Sequence, residues 1–306
     1  MKMSRSLHIT LTKKQKDYGF VAVMLLIPTI HFIIFWGIVN FNSIALAFQR
    51  LDITTGEYYF TWDNFGDLLA YFKTGTLRVA LENTLYTAAF QIIFLFPWGF
   101  FLTYFLYKKI PLTGAWRLFL FLPTILPAVF LTSITKYAIQ TVGPIGKIWS
   151  ILFNKDIPTL GMDELYSRVF LIAYFFLTNF GGQFLLFTGA MTRIPNQILE
   201  AAKLDGAGMR VEFFKIVFPL CWPTFSMLLI LNITSVFTSA GSILLLTGGR
   251  ANTQTIAYWI FMQVNDKTSP SLFIPSALGI VLTLILFPII SLSRWGLSKI
   301  WNDVEF

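Results

Sequence analysis

The chain has 306 residues, of which 56% are apolar and only 12% charged, and its mean hydropathy is +0.68. So few charged residues cannot cover a water-soluble globule of this size, which excludes a pair of soluble domains and predicts a membrane protein. The single cysteine, Cys221, excludes an internal disulfide or a cysteine-based metal cluster, and two histidines offer little for a zinc site.

Six stretches contain no Asp, Glu, Lys or Arg, and each has at least 18 residues: 18–49, 83–107, 118–135, 169–192, 216–249 and 268–293. A helix needs about 20 apolar residues to cross a bilayer. We therefore predict an all-α, polytopic protein whose 18–293 domain holds six transmembrane helices, flanked by tails at 1–17 and 294–306. The predicted spans are 18–41, 83–107, 117–138, 169–191, 216–240 and 271–293.

The first span also has features of a secretory signal, since Lys13, Lys14 and Lys16 precede it and the small-residue pattern 45–47 follows it. A signal core is about 7 to 15 apolar residues long, whereas 18–41 runs for 24 residues without a charge. Its length favours an uncleaved membrane anchor.

Lys and Arg indicate the orientation, because they accumulate in segments that stay in the cytoplasm. The two tails and the loops after the second and fourth spans hold 14 of them, against 9 in the remaining loops. Both termini and the loop 193–219 are thus expected in the cytoplasm. Since these cations lie at the ends of spans and form no basic stripe, the net charge of +8 does not indicate a nucleic-acid partner.

The predicted outer loop 42–80 mixes aromatic with acidic residues, namely Tyr58, Tyr59, Phe60, Trp62, Phe65, Asp52, Glu57, Asp63 and Asp67. This composition fits a folded cap at the membrane interface. The alternative is an aromatic belt, because Trp and Tyr favour the headgroup region in any membrane protein.

Chemistry-bearing residues are scarce within the spans. No phosphate-binding loop is present, since the nearest match, 143–148, has the wrong spacing and no hydroxyl after its lysine. His31 stands alone among apolar neighbours, which favours a packed ring over a proton relay. We predict no catalytic residue, no metal site and no cofactor bound by the chain. An ion-gradient-driven transporter of a neutral solute remains the alternative, because sodium sites built from carbonyls and hydroxyls need no ionisable residue.

The segment 194–223 predicts two short helices separated by a turn. Pro195 suits the first helical position, and the apolar residues of 198–204 form one face of a small helix. Asp205 and Gly206 then end it, because glycine accepts a positive φ at a helix C-terminus. The thin strip around Glu200 suits recognition in a groove of another protein. The alternative is an amphipathic helix on the inner leaflet.

This segment resembles the EAA loop of binding-protein-dependent ABC importer permeases. The resemblance lies in the spacing of Glu200, Ala201, Ala202, Gly206, Ile216 and Pro219, with Phe218 where that family usually has Leu. The residues 205–207, 122–127 and 247–249 are similar to the carbohydrate-uptake branch, which includes the maltose and multiple-sugar permeases. Arg250 departs from the pattern, which has another Gly or Pro there.

The resemblance implies a type I ABC importer permease fold, in the bacterial cytoplasmic membrane, that moves a carbohydrate by alternating access. The implied partners are a second homologous permease, two ATPase subunits that bind ATP and Mg, an extracytoplasmic solute-binding protein, the sugar, an oligosaccharide, and membrane lipid. Glu200 is expected to contact the ATPase, the two alanines to allow close packing, Leu204 to anchor it and Gly206 to form the turn. The implied coupling residues are Glu200, Ala201, Ala202, Leu204, Asp205, Gly206 and Ala207.

Polar residues in the fourth and fifth spans are candidates for the solute path: Thr178, Asn179, Gln183, Asn232, Ser235, Thr238 and Ser239. Hydroxyls and amides favour an uncharged solute such as a sugar, and in the resembling family these helices line the solute site. The alternative for each residue is a hydrogen bond between helices. The glycines at 181, 182 and 189 indicate close helix packing or a local break in the fourth span.

Overall fold

The structure, a computed structural model, describes residues 12–52, 54–238, 240–266 and 271–300, without the side chains of Gln15 and Val236. Residues 1–11 of the predicted N-terminal tail and 301–306 of the predicted C-terminal tail therefore lie outside the described residues. Within these ranges the α-helices are, in chain order, α1 Lys13–Phe32, α2 Val39–Ala47, α3 Asp63–Lys73, α4 Thr76–Phe90, α5 Phe96–Tyr107, α6 Thr113–Ile125, α7 Ala128–Ala138, α8 Pro144–Phe153, α9 Glu164–Thr178, α10 Phe180–Thr192, α11 Asn196–Leu204, α12 Met209–Glu212, α13 Phe218–Leu220, α14 Trp222–Val236, α15 Gly241–Leu246, α16 Ile256–Val264 and α17 Phe273–Ser298. Three π-helical segments continue neighbouring helices: Ile33–Ile38, Gln91–Leu95 and Phe213–Val217.

Four continuous helical stretches of the described residues are long and apolar enough to cross a membrane: Lys16–Ala47, Thr76–Tyr107, Glu164–Thr192 and Phe273–Ser298. Two further stretches meet the same criteria only as bent helix pairs, so the total is six when each pair is one span. The prediction of a polytopic, essentially all-α chain is confirmed. The membrane boundaries stay predictions.

Proline breaks two of the spans that the sequence predicted as single helices. In 117–138, α6 and α7 meet at 109°. Leu126 is extended there, with φ −74° and ψ 138°, because the ring of Pro127 disfavours helical geometry in the residue before it. In 216–240 the chain bends by 71° around Cys221, between Pro219 and Pro223, each of which lacks the backbone N–H that a continuous helix needs. Continuous helices were wrong in both places.

The chain divides into two compact units. The first comprises residues 1–68 with 272–280, and the second comprises 69–271 with 281–306. In the first unit, strands β1 (Gln49–Leu51) and β2 (Tyr58–Phe60) pair antiparallel, with Arg50 opposite Tyr59. Buried Asn64 donates hydrogen bonds to the carbonyls of Ala47 and Gln49, at 2.9 and 3.0 Å. These bonds join the end of α2 to the start of α3.

Aromatic rings pack together beside this hairpin. The ring of Phe48 lies 5.9 Å from Phe60, 4.8 Å from Trp62 and 5.4 Å from Phe65, measured between centroids. Edge and offset contacts of this kind contribute roughly 0.5–1.5 kcal/mol each beyond the area they bury. The segment is folded, while Tyr58, Tyr59, Phe60 and Trp62 stay exposed, so the cap and the aromatic belt both stay predictions.

In the second unit, α5 and α10 pack against the chain from 194 to 225. Aromatic side chains dominate the buried cluster, in which Phe100 lies 5.0 Å from Phe187 and 5.6 Å from Phe213. The buried members are Phe96, Phe100, Tyr104, Phe187, Met191, Ile194, Leu199, Phe213, Val217, Cys221, Trp222 and Phe225. This cluster fixes the loop 193–219 on the ends of two apolar helices.

Gly181 lets α10 approach α6 closely. A Cβ added there would lie 1.7 Å from the Oγ1 of Thr124, whereas at Gly182 and Gly189 it would meet nothing within 4 Å. The predicted close packing therefore rests on Gly181.

Candidate functional site

The loop 193–219 forms two helices with a tight stop between them. Pro195 lies directly before α11, so the helix begins one residue later than predicted. At its end, Gly206 has φ +78° and donates to the carbonyl of Lys203 at 3.0 Å, while Ala207 donates to that of Ala202 at 2.9 Å. This pair of bonds is the Schellman arrangement, in which glycine takes the left-handed position. The predicted turn at Gly206 is present.

Helix α11 has one face held by the chain and one face free of it. Leu199 and Ala202 are buried, at 7% and 9% relative exposure, and Leu199 belongs to the aromatic cluster. Glu200 and Ala201 are exposed, and Leu204 is 90% exposed. The structure thus separates the two alanines: Ala201 lies on the open face, whereas Ala202 packs α11 against its own chain.

Leu204 is followed along the chain by other exposed apolar residues, Met209 and Val211, as well as by charged ones. Lys203, Asp205 and Arg210 are all exposed. Burying the Leu204 side chain against a partner surface would contribute about 1.5–3 kcal/mol to binding. The open face therefore has the composition of a small docking surface.

After the turn, the buried carboxylate of Glu212 links α12 to the end of α5. Glu212 is 3% exposed, and its two oxygens accept hydrogen bonds from the Nζ of Lys108 at 2.7 and 2.8 Å. The hydroxyl of Tyr104 donates to the same carboxylate at 3.1 Å. A charge removed from water needs such partners, since burying it alone costs several kcal/mol. The sequence analysis did not single out this network.

A second feature is a cavity of about 200 Å³, hereafter the polar pocket. Its lining combines hydroxyls, amides and one aromatic ring, with no charged side chain among the described residues. The lining residues are Thr87, Gln91, Phe175, Thr178, Asn179, Ser235, Ser242, Ile243 and Thr255. The cavity is smaller than the roughly 300–1,000 Å³ of a complete small-molecule site.

Three of the predicted path residues line the polar pocket: Thr178, Asn179 and Ser235. Each of them donates one hydrogen bond to its own helix, to the carbonyls of Tyr174, Phe175 and Asn232 at 2.9–3.0 Å. The oxygens remain able to accept a hydrogen bond from a ligand hydroxyl, because an oxygen has two lone pairs. Lining the cavity and bonding the helix are therefore compatible.

The other predicted path residues are not among the lining residues. Gln183 points toward α5, where its Oε1 would lie 3.1 Å from a Cβ added at Gly99. The Oδ1 of Asn232 is buried without a hydrogen-bond partner, and Thr238 donates to the carbonyl of Ser235 at 3.1 Å. Ser239 lies outside the described residues. Gln183 thus lies against α5, and its role in the solute path stays a prediction.

The sequence analysis missed Thr87, Gln91, Ser242 and Thr255, which complete the polar pocket. Thr87 and Gln91 are four residues apart in a helical stretch and so share one face, which is a signal that the sequence does contain. Ser242 and Thr255 lie on chain segments after the last predicted residue of the fifth span. Their approach to the pocket is a product of the tertiary fold.

Solved structures share this architecture. A chain of the crystal structure of a bacterial alginate ABC transporter, in complex with an alginate pentasaccharide-bound periplasmic protein, superposes with a TM-score of 0.80. The superposition covers 95% of this chain and 99% of that one, at 19% sequence identity. The chain has the fold of an ABC transporter permease.

Sequence relatives agree with this fold. The chain is 25% identical to the multiple sugar-binding transport system permease MsmF of Streptococcus mutans, over 90% of this chain and 93% of the relative. It is 24% identical to the probable ABC transporter permease YesP of Bacillus subtilis, over 100% and 96%. No family model matches the chain.

A shorter match has higher identity. The chain is 30% identical to the sn-glycerol-3-phosphate permease UgpA of Agrobacterium fabrum, but only over 38% of this chain and 45% of that relative.

These comparisons confirm the predicted resemblance to carbohydrate-uptake ABC importer permeases. The relatives are permease proteins by name, which also agrees with the prediction that the chain is not itself an enzyme. With its apolar helices and its permease relatives, the chain is a multi-pass membrane protein. The coupling and path residues stay predictions.

Proposed function

We propose that this permease is one half of the membrane channel of an ATP-driven importer that takes up a carbohydrate, an oligosaccharide, by alternating access. It lies in the bacterial cytoplasmic membrane with both termini in the cytoplasm. A second homologous permease supplies the other half, two ATPase subunits bind ATP and Mg, and an extracytoplasmic solute-binding protein delivers the sugar. Two of its relatives are named as permease proteins of an sn-glycerol-3-phosphate transport system and of a multiple sugar-binding transport system.

The observation that carries the proposal is the open face of α11. Glu200, Ala201 and Leu204 are exposed on a helix whose other face is buried in the chain's own core. Because that core includes α5 and α10, a force applied to α11 is passed to two apolar helices through packed side chains, which resist compression. A separate ATPase that grips α11 can thereby move the channel.

The polar pocket supports a carbohydrate as the solute. Sugars offer many hydroxyls and an apolar ring face, and the pocket offers matching oxygens and amides beside Phe175. A single chain provides only part of a site, since the cavity is about 200 Å³. The second permease would supply the remaining wall.

A crosslinking experiment tests the ATPase contact. Because native Cys221 is 1% exposed, a cysteine placed on α11 is the reactive one. Ala201→Cys, on the open face, is expected to crosslink to the ATPase, whereas Ala202→Cys, at a position 9% exposed, is the matched control and is expected not to. Equal crosslinking of both, or of neither, in active membranes would contradict the proposed contact.

An uptake experiment tests coupling. Gly206→Asp forces a side chain into a φ of +78°, at a cost of about 1–2 kcal/mol, but its Cβ meets no atom within 4 Å. We expect normal membrane insertion and loss of ATP-driven uptake. Gly208→Asp, at an ordinary φ of −72°, is the charge-matched control and keeps uptake. Normal uptake by a fully expressed Gly206→Asp protein would refute coupling through this turn. Uptake by the native transporter that is driven by an ion gradient without ATP would favour the alternative function, a secondary transporter.

A third pair of variants tests the solute site. Gln91→Leu removes an amide from the polar pocket, whereas Gln183→Leu removes one that does not line it. We expect only the first to weaken uptake while ATPase assembly stays intact. Equal effects would place the solute elsewhere.

A further inference from the structure

A second and larger cavity lies on the same unit. Its volume is about 680 Å³, and we call it the basic pocket. Three chain segments form it: the end of α7 with the following loop, residues 157–160, and the stretch from α15 to Arg250. The lining residues are Lys136, Ile139, Gln140, Thr141, Val142, Ile157, Pro158, Thr159, Leu160, Leu244, Leu246, Thr247, Gly248 and Arg250. By the distribution of Lys and Arg, these loops are predicted to face outward.

Two cations line the basic pocket, and no acidic residue does so among the described residues. Lys136 is half-buried and Arg250 exposed, and neither side chain makes an ion pair or hydrogen bond within the described ranges. Arg78 and Arg168, by contrast, each pair with a glutamate four residues away. Two unpaired cations on one concave surface favour an incoming anion, because opposite charge is held more strongly where water is partly excluded.

The backbone that carries Arg250 is pinned on both sides. The hydroxyl of Tyr258 donates to the carbonyl of Gly248 at 2.7 Å, and that of Thr253 donates to the carbonyl of Arg250 at 2.7 Å. A Cβ at Gly249, whose φ is +70°, would lie 2.3 Å from the Tyr258 ring, so only glycine fits there. Burial raises the pKa of Tyr258, and Arg250 partly opposes that shift. The phenol therefore stays protonated and keeps its bond at neutral pH.

The rest of the lining suits a saccharide. Gln140, Thr141 and Thr159 present amide and hydroxyl groups, and the cavity volume lies within the roughly 300–1,000 Å³ of small-molecule sites. A single acidic side chain from a docking protein would fill only a fraction of this space. Size and neutral polar lining together favour a ligand that carries hydroxyls as well as a negative charge.

Helix α15 joins the two pockets. Ser242 and Ile243 line the polar pocket, and Leu244 and Leu246 line the basic pocket. At about 1.5 Å of rise per residue, this six-residue helix is roughly 9 Å long, so the two linings share one short helix. The polar pocket has hydroxyl and amide groups and, among its described residues, no carboxylate that would repel an anion. An anionic sugar is compatible with both.

We propose that the basic pocket binds the carboxylate or phosphate of an acidic saccharide through Lys136 and Arg250, on the way to the polar pocket. This proposal rests on the proposed transport function and narrows the substrate to anionic carbohydrates. The polar residues of the spans, taken alone, favour an uncharged sugar. Lys136 and Arg250 are then specificity-determining residues. The acid group pairs with them while sugar hydroxyls meet Gln140, Thr141 and Thr159.

Binding to the assembled transporter in lipid nanodiscs, without the external binding protein, tests this. The probes are tri-galacturonate, its fully methyl-esterified form, which has the same size but no charge, and inorganic phosphate. Isothermal titration is expected to show at least about tenfold weaker binding of the ester, equivalent to about 1.4 kcal/mol, because the ester cannot form charge-assisted hydrogen bonds with the two cations. Lys136→Gln and Arg250→Gln are each expected to weaken the acid about tenfold and leave the ester unchanged. Lys73→Gln, at an exposed lysine outside the pocket, is the charge-matched control.

Several results would overturn the proposal. Equal affinity for acid and ester, no binding of either, or insensitivity to both variants would exclude an acidic-saccharide site. Phosphate as strong as the trimer would indicate an adventitious ion only. Variants that weaken only the docking of the external protein would reassign the pocket to that protein's acidic side chains. Gly206→Asp in the same nanodiscs reports on coupling independently, so failure here is distinguishable from failure of the transport function.

Discussion

The ion pair beneath the coupling loop allows a quantitative prediction. Lys108→Met removes the cation and leaves the carboxylate of Glu212, whose side chain is 4% exposed, with only the Tyr104 hydroxyl at 3.1 Å. Removing one partner of a buried pair costs about 3–5 kcal/mol. Because the Lys108 side chain is 20% exposed, the lower end, about 3 kcal/mol, applies. At about 2 °C per kcal/mol, the apparent melting temperature should fall by roughly 6 °C.

The double variant Lys108→Met/Glu212→Met separates the pair from its surroundings. Replacing both partners of a buried pair with apolar groups of similar size is often nearly neutral, so we expect recovery to within about 1 kcal/mol of the native chain. Lys215→Met, at an exposed lysine on the same loop, is the control. Fluorescence-detected size exclusion after heating in detergent measures the order of stability. A double variant as unstable as the single one, or a single variant as stable as the native chain, would refute this reasoning.

Two other predictions concern packing. Gly181→Ala should destabilise the α6–α10 contact by about 1–3 kcal/mol, because its Cβ would lie 1.7 Å from the Oγ1 of Thr124. Gly182→Ala is the control and should not destabilise it, since a Cβ there meets nothing within 4 Å. Melting temperatures in detergent measure the difference, and equal values for the two variants would contradict the contact. Cys221 is the single cysteine and is 1% exposed, so it should react with maleimide at least roughly a hundredfold more slowly in the native chain than after denaturation. Labelling requires the core to open, at a cost of about 3 kcal/mol or more. Rapid labelling of the native chain would show that the aromatic cluster is not closed.

Local signals in the sequence predicted the turn within the loop 193–219 well. The stop at Gly206 depends on one residue's tolerance of positive φ and on hydrogen bonds spanning six residues, so it is readable from a short segment. The burial of Ala202 could not be predicted from the neighbouring residues in the sequence. The inward-facing side of α11 is set by Leu199, which lies in one buried cluster with residues of α10 and with Phe213. Neither partner belongs to α11, since Phe213 comes after the turn and α10 is a separate helix.

The solute path shows the opposite balance. Polar residues in apolar spans marked Thr178, Asn179 and Ser235, but also Gln183, which turns toward α5. Thr87 and Gln91 come from another span, and Ser242 and Thr255 arrive from segments after it. Cavity lining depends on how each helix is rotated about its axis and on where proline bends it.

The sequence by itself determined the class of protein, because charge-free stretches as long as a bilayer is thick have few other stable environments. It also determined the position of the coupling turn. Only the tertiary structure decided that two spans are bent, by 109° and 71°, that Glu212 is buried against Lys108, and that Lys136 and Arg250 line one cavity. Those pairings join residues roughly a hundred positions apart, and composition and periodicity carry no information about which distant side chains will meet.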